Sequence, residues 1–235
     1  MLMVDIEKRL DRFTLKAKLQ CDNSPLALFG ASGAGKSMTL KCIAGIEKPD
    51  KGVIQLNDRV LFDSEKKINL PPQKRRVGYL FQEYALFPDM TVNGNIKAGM
   101  HKLPKQEREE RSRELIKRFQ LDGMENRRPD TLSGGEKQRV ALARIFASSP
   151  EVLLLDEPFS SLDTLLKYQL IPYIREIIAV FGGETILVSH DIEEVRRLCP
   201  TLSVITDGIT SDIKDTEAFY QQIMNQYKEL INNER

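Results

Sequence analysis

The chain carries almost no surplus charge: 35 Lys and Arg stand against 34 Asp and Glu in 235 residues, a formal net charge of +1. Attraction to nucleic acid or to an anionic membrane surface needs a basic field, so nucleic acid is not an expected partner. Long apolar runs are missing too. No stretch approaches the roughly 18 apolar residues of a membrane-crossing helix, and Met1, Leu2, Met3 and Val4 meet Asp5 too soon for a secretory signal. The expectation is a cytoplasmic chain that reaches a membrane only through a protein partner. Cysteine is scarce. Cys21, Cys42 and Cys199 are odd in number and far apart, without the close pairs of zinc sites, and they read as reduced thiols. The length suits one large α/β domain, or a main domain with a smaller insertion.

The most informative local stretch is Gly30-Ala31-Ser32-Gly33-Ala34-Gly35-Lys36-Ser37, which fits G-x-x-x-x-G-K-[ST]. It follows a short apolar run at 26–29 and precedes a helix-like run at 38–46. Glycines without Cβ let successive backbone N–H groups turn onto phosphate oxygens, and the following helix aims its positive end at them. Lys36 is placed to reach the β and γ phosphates and the Ser37 hydroxyl to ligate Mg²⁺.

Along the chain, residues 4–19 alternate loosely, with Phe13, Leu15, Ala17 and Leu19 on one face, which predicts an antiparallel hairpin or flap. A second hairpin is expected where 53–56 and 59–62 flank Asn57-Asp58. Pro71-Pro72 precedes a strand at 77–81. From 83 to about 150 the pattern turns helical, with a charge-dense amphipathic helix over 105–118, so a helical subdomain inserted in an α/β core is expected. Strands follow at 151–156, 185–188 and 202–205, and a terminal helix over 216–229. The first of these is a continuous apolar run ending in acid, as in a strand buried on both faces of a parallel sheet. Ligands in such sheets bind beyond the carboxyl ends of strands, where the phosphate loop, Asp156 and His190 all fall.

Two further stretches bear chemistry. Asp156 suits a Mg²⁺ ligand, direct or through water, because a hard cation takes oxygen donors. Glu157 next to it suits a general base on the attacking water. The second stretch, residues 132–139, reads Leu-Ser-Gly-Gly-Glu-Lys-Gln-Arg. Locally it is a helix start, with Ser133 as cap and Glu136 completing a capping box. Its two glycines leave backbone N–H groups bare beside a helix dipole, a second anion site without a lysine.

Residues 133–138 resemble the signature of the ATP-binding cassette family, and other motifs follow that family's order. Gln82 resembles the Q-loop glutamine, Asp156-Glu157-Pro158 the Walker B end, Ser161-Leu162-Asp163 the D-loop, and Ser189-His190-Asp191 the switch histidine. The resemblance covers residues from about 4 to 206. It implies a P-loop NTPase fold of cassette type, α/β with a mostly parallel sheet core, an antiparallel β flap and an inserted helical subdomain at about 83–150, all within one nucleotide-binding domain over 1–235. It implies ATP and Mg²⁺ as ligands. ATP would be held by Gly30, Ala31, Ser32, Gly33, Ala34, Gly35, Lys36, Ser37 and Met38, with Phe13 as the nearest candidate to stack on adenine. Ser37, Gln82 and Asp156 would hold the metal, and Glu157 and His190 would act in catalysis.

Because cassettes pair head to tail, the resemblance also implies a second copy of the chain as partner. Ser133, Gly134, Gly135 and Gln138 would act on the partner's nucleotide, with Asp163 coupling the sites. Within the family, residues 68–82 and 85–88 look like bacterial importer ATPases, most of all those for molybdate and related oxyanions. That implies integral membrane permease subunits, a substrate-binding protein at one remove, and a place on the cytoplasmic face of the membrane. Tyr84, Leu86, Phe87 and Met90 would then receive a membrane subunit's coupling helix, or equally pack within the helical region. With 45 residues after His190 (235 − 190), no C-terminal regulatory domain is expected. A soluble cassette ATPase and a kinase sharing only the phosphate loop are the rival readings.

Overall fold

In the computed structural model, which describes residues 1–160 and 162–233 with side chains to 229, the alternation near the N-terminus is a hairpin. Strands β1 (Leu2–Arg9) and β2 (Thr14–Cys21) pair antiparallel, Leu2 opposite Cys21. Leu15, Ala17, Leu19 and Cys21 form its buried face. Phe13 is not on that face: it lies in the connection before β2, where the Leu10 N–H donates to its carbonyl at 2.9 Å.

The chain falls into two compact units, Met1–Arg75 with Tyr173–Arg235, and Arg76–Pro172. In the first, β3 (Leu26–Phe29) leads through the glycine loop into α1 (Lys36–Ala44). Strands β4 (Lys51–Leu56) and β5 (Arg59–Asp63) form the second expected hairpin, turning at Asn57 with a left-handed φ of 50°. A two-residue strand β6 (Ile68–Asn69) and a single-turn helix α2 (Pro72–Arg75) follow. After the second unit come β9 (Glu184–Ser189), α7 (Ile192–Leu198), β10 (Thr201–Thr206), β11 (Ile209–Thr210), β12 (Lys214–Asp215) and α8 (Thr216–Asn233). The sheet of this unit runs β6-β5-β4-β1-β2-β11-β10-β3-β9, with β12 on β10. Its β10, β3 and β9 are parallel, whereas β1, β2, β4, β5 and β6 are antiparallel, so core and flap take the expected characters. Every residue of β9 is buried, as a strand covered on both faces requires.

Arg75 is the largest fully buried side chain of this unit. One of its terminal nitrogens donates to the Cys42 and Ile43 carbonyls at 2.8 and 2.9 Å, closing the C-terminal end of α1. Its Nε donates to the Leu70 carbonyl at 2.7 Å and its other nitrogen to Asn69 Oδ1 at 2.8 Å. A cation at a helix C-terminus is favourable, and burial pulls this guanidinium down to about 10.

The second unit pairs β7 (Val77–Leu80) with β8 (Val152–Asp156) in parallel, Val77 opposite Val152. Between them lie α3 (Val92–Ala98), α4 (Lys105–Arg118), a 3-10 turn at Pro129–Thr131 and α5 (Gly134–Ala147). The helical stretch expected at 83–150 is thus the middle of a larger unit that includes a strand pair. Helix α6 (Thr164–Phe181) follows, with Pro172 inside it. The core here comes from β8, whose Val152 to Leu155 are fully buried, and from Val140, Ala141, Leu142 and Ala143 of α5.

All three cysteines are free and buried. Burial pushes the Cys21 and Cys42 thiols up to about 12 and raises Cys199 as well. Folded thiols therefore hold protons that unfolded ones release above about pH 9, and the stabilisation, whole below that pH, is lost as pH rises toward 12. Between pH 9 and 10, before Arg75 begins to titrate with the opposite sign, the melting temperature should fall. At pH 8 a thiol reagent should label none of the three natively and all three in denaturant; rapid native labelling would contradict the burial.

Candidate nucleotide-binding elements

The glycine loop of the first unit has the backbone its sequence requires. Gly33 and Gly35 take φ of 80° and 108°, values that residues with a Cβ rarely adopt. A Cβ on Gly30 would collide with the Ile205 carbonyl, so β10 closes that side of the loop to any other residue. Helix α1 starts after Gly35 without a side-chain cap, and the positive end of a helix favours an anionic acceptor. The Lys36 ammonium lies over the loop, donating to the Gly30 and Ala31 carbonyls at 2.9 Å each. Thr39 Oγ1 donates to the Gly35 carbonyl at 3.0 Å and braces the turn. Ser37 and Met38 are half-buried on the first turn of α1, while Ala31, Ser32 and Gly33 are exposed and Ala34 half-buried. The Phe13 ring packs against Gly208, where a Cβ would overlap it, and a Cβ on Gly35 would come within 3.5 Å of it. Phe13 is thus half-buried beside the phosphate loop.

His190, also in the first unit, is exposed at the end of β9. Its neighbours are firmly held. Ser189 Oγ donates to the buried Glu194 carboxylate at 2.5 Å and accepts from the Asp191 N–H at 3.0 Å. Asp191 Oδ1 accepts from the Glu193 N–H at 2.8 Å and caps α7.

In the second unit Asp156 is buried at the end of β8. The Tyr79 hydroxyl of β7 donates to its Oδ2 at 2.7 Å, and burial together with that carboxylate raises the tyrosine well above its ordinary range. Glu157 is half-buried and holds a left-handed φ of 45°, with its carbonyl accepting from Ser160 N–H and Oγ at 3.2 and 3.0 Å. Gln82 is exposed after β7, followed by two more left-handed residues, Tyr84 (61°) and Ala85 (46°). Arg144 of α5 ties that strained pair down, donating to the Ala85 and Tyr84 carbonyls at 2.7 and 2.9 Å. Phe87 and Met90 are exposed, Leu86 is half-buried and Tyr84 is buried, so only part of the proposed apolar groove is at the surface.

The start of α5 is the expected capping box: Ser133 Oγ accepts from the Glu136 N–H at 3.3 Å, and Glu136 Oε2 accepts from the Ser133 N–H at 2.7 Å. That backbone N–H holds the Glu136 carboxyl below its usual range. The glycines have a second reason as well. A Cβ on Gly134 would come within 2.8 Å of Leu162, and one on Gly135 within 3.3 Å of Leu170. Asp163 is exposed, its Oδ1 accepting from the Leu166 N–H at 3.0 Å at the start of α6. Ser161 lies outside the described residues. Gln138 lies at the fifth position of α5. It is fully buried, its Nε2 donating to the Pro158 carbonyl at 3.2 Å, so its amide is turned into its own unit.

Sequence reasoning missed Tyr79, Arg144, Glu194 and Arg75. Only the first had a signal, a lone hydroxyl in the apolar run of β7.

Among the described residues no group of three or more His, Cys, Asp or Glu could hold an ion. The buried carboxylate of Asp156 at the end of β8 is a donor that suits Mg²⁺, which is bound through one or two carboxylates plus substrate phosphates and water. No helix of the described residues is long and apolar enough to cross a membrane.

The solved structures it resembles include dimeric forms of the ATP-binding cassette MJ0796, one in a post-hydrolysis state bound to ADP and Pi. Both match with a TM-score of 0.76 and 25% identity over 92% of this chain and 99% of theirs. Relatives named molybdenum import ATP-binding protein ModC, from Paramagnetospirillum magneticum and Rhodospirillum rubrum, are 41% and 42% identical over 88% of this chain. One from Aliivibrio fischeri is 40% identical over 90%. The chain spans 56 to 57% of the length of these relatives. Residues 16–160 match the ABC transporter family model. One continuous match that takes in the phosphate loop, Gln82, the start of α5 and the carboxylates after β8 settles the classification: this chain belongs to the ABC transporter family.

Proposed function

We propose that the chain is the ATP-hydrolysing subunit of an importer for molybdate or a related oxyanion, working as a head-to-tail dimer on integral membrane permease subunits at the cytoplasmic face. The observation that carries the chemistry is the uncapped start of α1, with glycine-turned backbone and the Lys36 ammonium folded over the loop. The likeness to molybdenum import ATP-binding proteins over 88% of the chain supports the cargo.

The loop N–H groups and Lys36 bind the β and γ phosphates. Ser37, Gln82 and Asp156 would hold Mg²⁺, with the Tyr79 hydroxyl orienting Asp156. When bound there, the metal would supply neutralisation of charge on the transferring phosphoryl group. Glu157 takes the proton of the water that attacks the γ-phosphorus as the bond to the ADP oxygen breaks, giving ADP and phosphate. His190 orients the γ-phosphate. Ser133, Gly134 and Gly135 receive the phosphate held by the second copy, Asp163 links the two sites, and Phe13 lies nearest the base.

The test is purification from native membranes, followed by an ATPase assay of the extracted complex with binding protein and molybdate, tungstate or sulfate. Stimulation by one oxyanion is the expected result. Recovery without an integral membrane partner, with turnover indifferent to all three anions, would overturn the importer reading in favour of a soluble ATPase.

A further inference from the structure

We propose that Gln138 is a positioning residue for Glu157, acting through the Pro158 carbonyl. The inference rests on the reading of Glu157 as general base. A residue with a Cβ seldom takes a positive φ, and one that precedes proline is pushed toward extended backbone. Glu157 does neither of the easy things: its φ is 45° and Pro158 follows it. Such a conformation persists only where the surroundings over-determine it.

Two sets of bonds do so here. Ser160 holds the Glu157 carbonyl through its N–H and Oγ. The next carbonyl, that of Pro158, is held by Gln138 Nε2 at 3.2 Å from the fully buried side chain on α5. Pro158 and Phe159 are buried, so the loop is clamped from below while Glu157 keeps its partial exposure.

The amide is poorly suited to a purely stabilising role. Its Oε1 is buried with no hydrogen-bond partner among the described residues, a cost that an apolar side chain of the same shape avoids. What glutamine supplies, and methionine does not, is the single donor to Pro158. Helix α5 begins four residues earlier, at Gly134. The helix whose first turn is assigned to the partner's phosphate therefore also carries the group that sets the base.

The experiment compares Gln138→Met with the natural chain in the membrane complex, measuring kcat, KM and melting temperature, and repeats the comparison in the Glu157→Gln background. A misplaced base should lower kcat about 10- to 100-fold, with KM for ATP unchanged within about twofold and the melting temperature nearly unmoved. In Glu157→Gln chains the same substitution should cost nothing further in residual turnover, and ATP-dependent dimers should form as before. Gln138→Asn, whose amide falls short of Pro158, should repeat the kcat loss and replaces the methionine variant if that fails to fold.

Unchanged kcat, or a loss that persists fully in the Glu157→Gln background, overturns the proposal. Loss of ATP-dependent dimers would instead assign Gln138 to the partner's nucleotide. A natural complex that hydrolyses no ATP overturns the role of Glu157 and this inference with it, whereas the other outcomes overturn this inference alone.

Discussion

Glu157→Gln is expected to lower ATP turnover about 100- to 10,000-fold, the range a positioned general base contributes, while leaving ATP binding intact. Glutamine keeps the volume of the side chain and disturbs none of the backbone bonds that Ser160 makes to residue 157. The left-handed turn at φ 45° should therefore survive, and the change isolates the missing proton acceptor. On the proposed arrangement of two composite sites, ATP that enters does not leave as ADP, so a dimer should accumulate with MgATP and dissociate on chelation. Light scattering with and without EDTA, beside a phosphate-release assay, measures both effects. Turnover within a few-fold of the natural chain would remove Glu157 from the base role, and a monomer at saturating MgATP would contradict the shared-site arrangement.

Arg75→Ala is expected to cost about 3–5 kcal/mol of stability, the sum of orphaned acceptors and a large cavity. Four oxygens lose their donor: the carbonyls of Cys42, Ile43 and Leu70, and Asn69 Oδ1. The Cys42 and Ile43 carbonyls are buried and cannot turn to water, whereas Leu70 is half-buried and Asn69 exposed. For a chain of this length such a loss corresponds to roughly 10 °C in melting temperature. Arg75→Lys should recover only part of it, since an ammonium cannot fork to two carbonyls while reaching Leu70 and Asn69. Urea and thermal unfolding of the three chains would decide it. An alanine variant within about 2 °C of the natural one would show that α1 closes without the arginine.

Where a signal is local and periodic, the sequence and the fold agree closely. The charge-dense segment at 105–118 is α4 with those bounds, and Asn57-Asp58 turns the hairpin it predicts. The phosphate loop is legible because its glycines answer a backbone demand that no other residue meets. Helix α6 was not legible: Pro172 inside it is the residue that normally ends a helix. Helix α7, of seven residues, is too short for its period to register.

At the site, what escaped is what depends on distant pairing. Tyr79 meets Asp156 across 77 residues because β7 and β8 lie in parallel register. Gln138 reads as part of a nucleotide-facing stretch, yet the helical period turns its side chain inward, with Val140 and Ala141. The glycines at 134 and 135 show only half their reason in sequence; the leucines that a Cβ there would crowd lie beyond β8.

The seclusion of the three thiols also makes the natural chain a blank background for site-directed probes. A single cysteine introduced at Leu165, 71% exposed on α6, would be the one sulfhydryl a maleimide spin label reaches. Because the sequence has no tryptophan, an indole placed elsewhere would likewise be the only one to fluoresce. Distances between two such labels across a dimer, and their change with each nucleotide state, can be read without rebuilding the protein first.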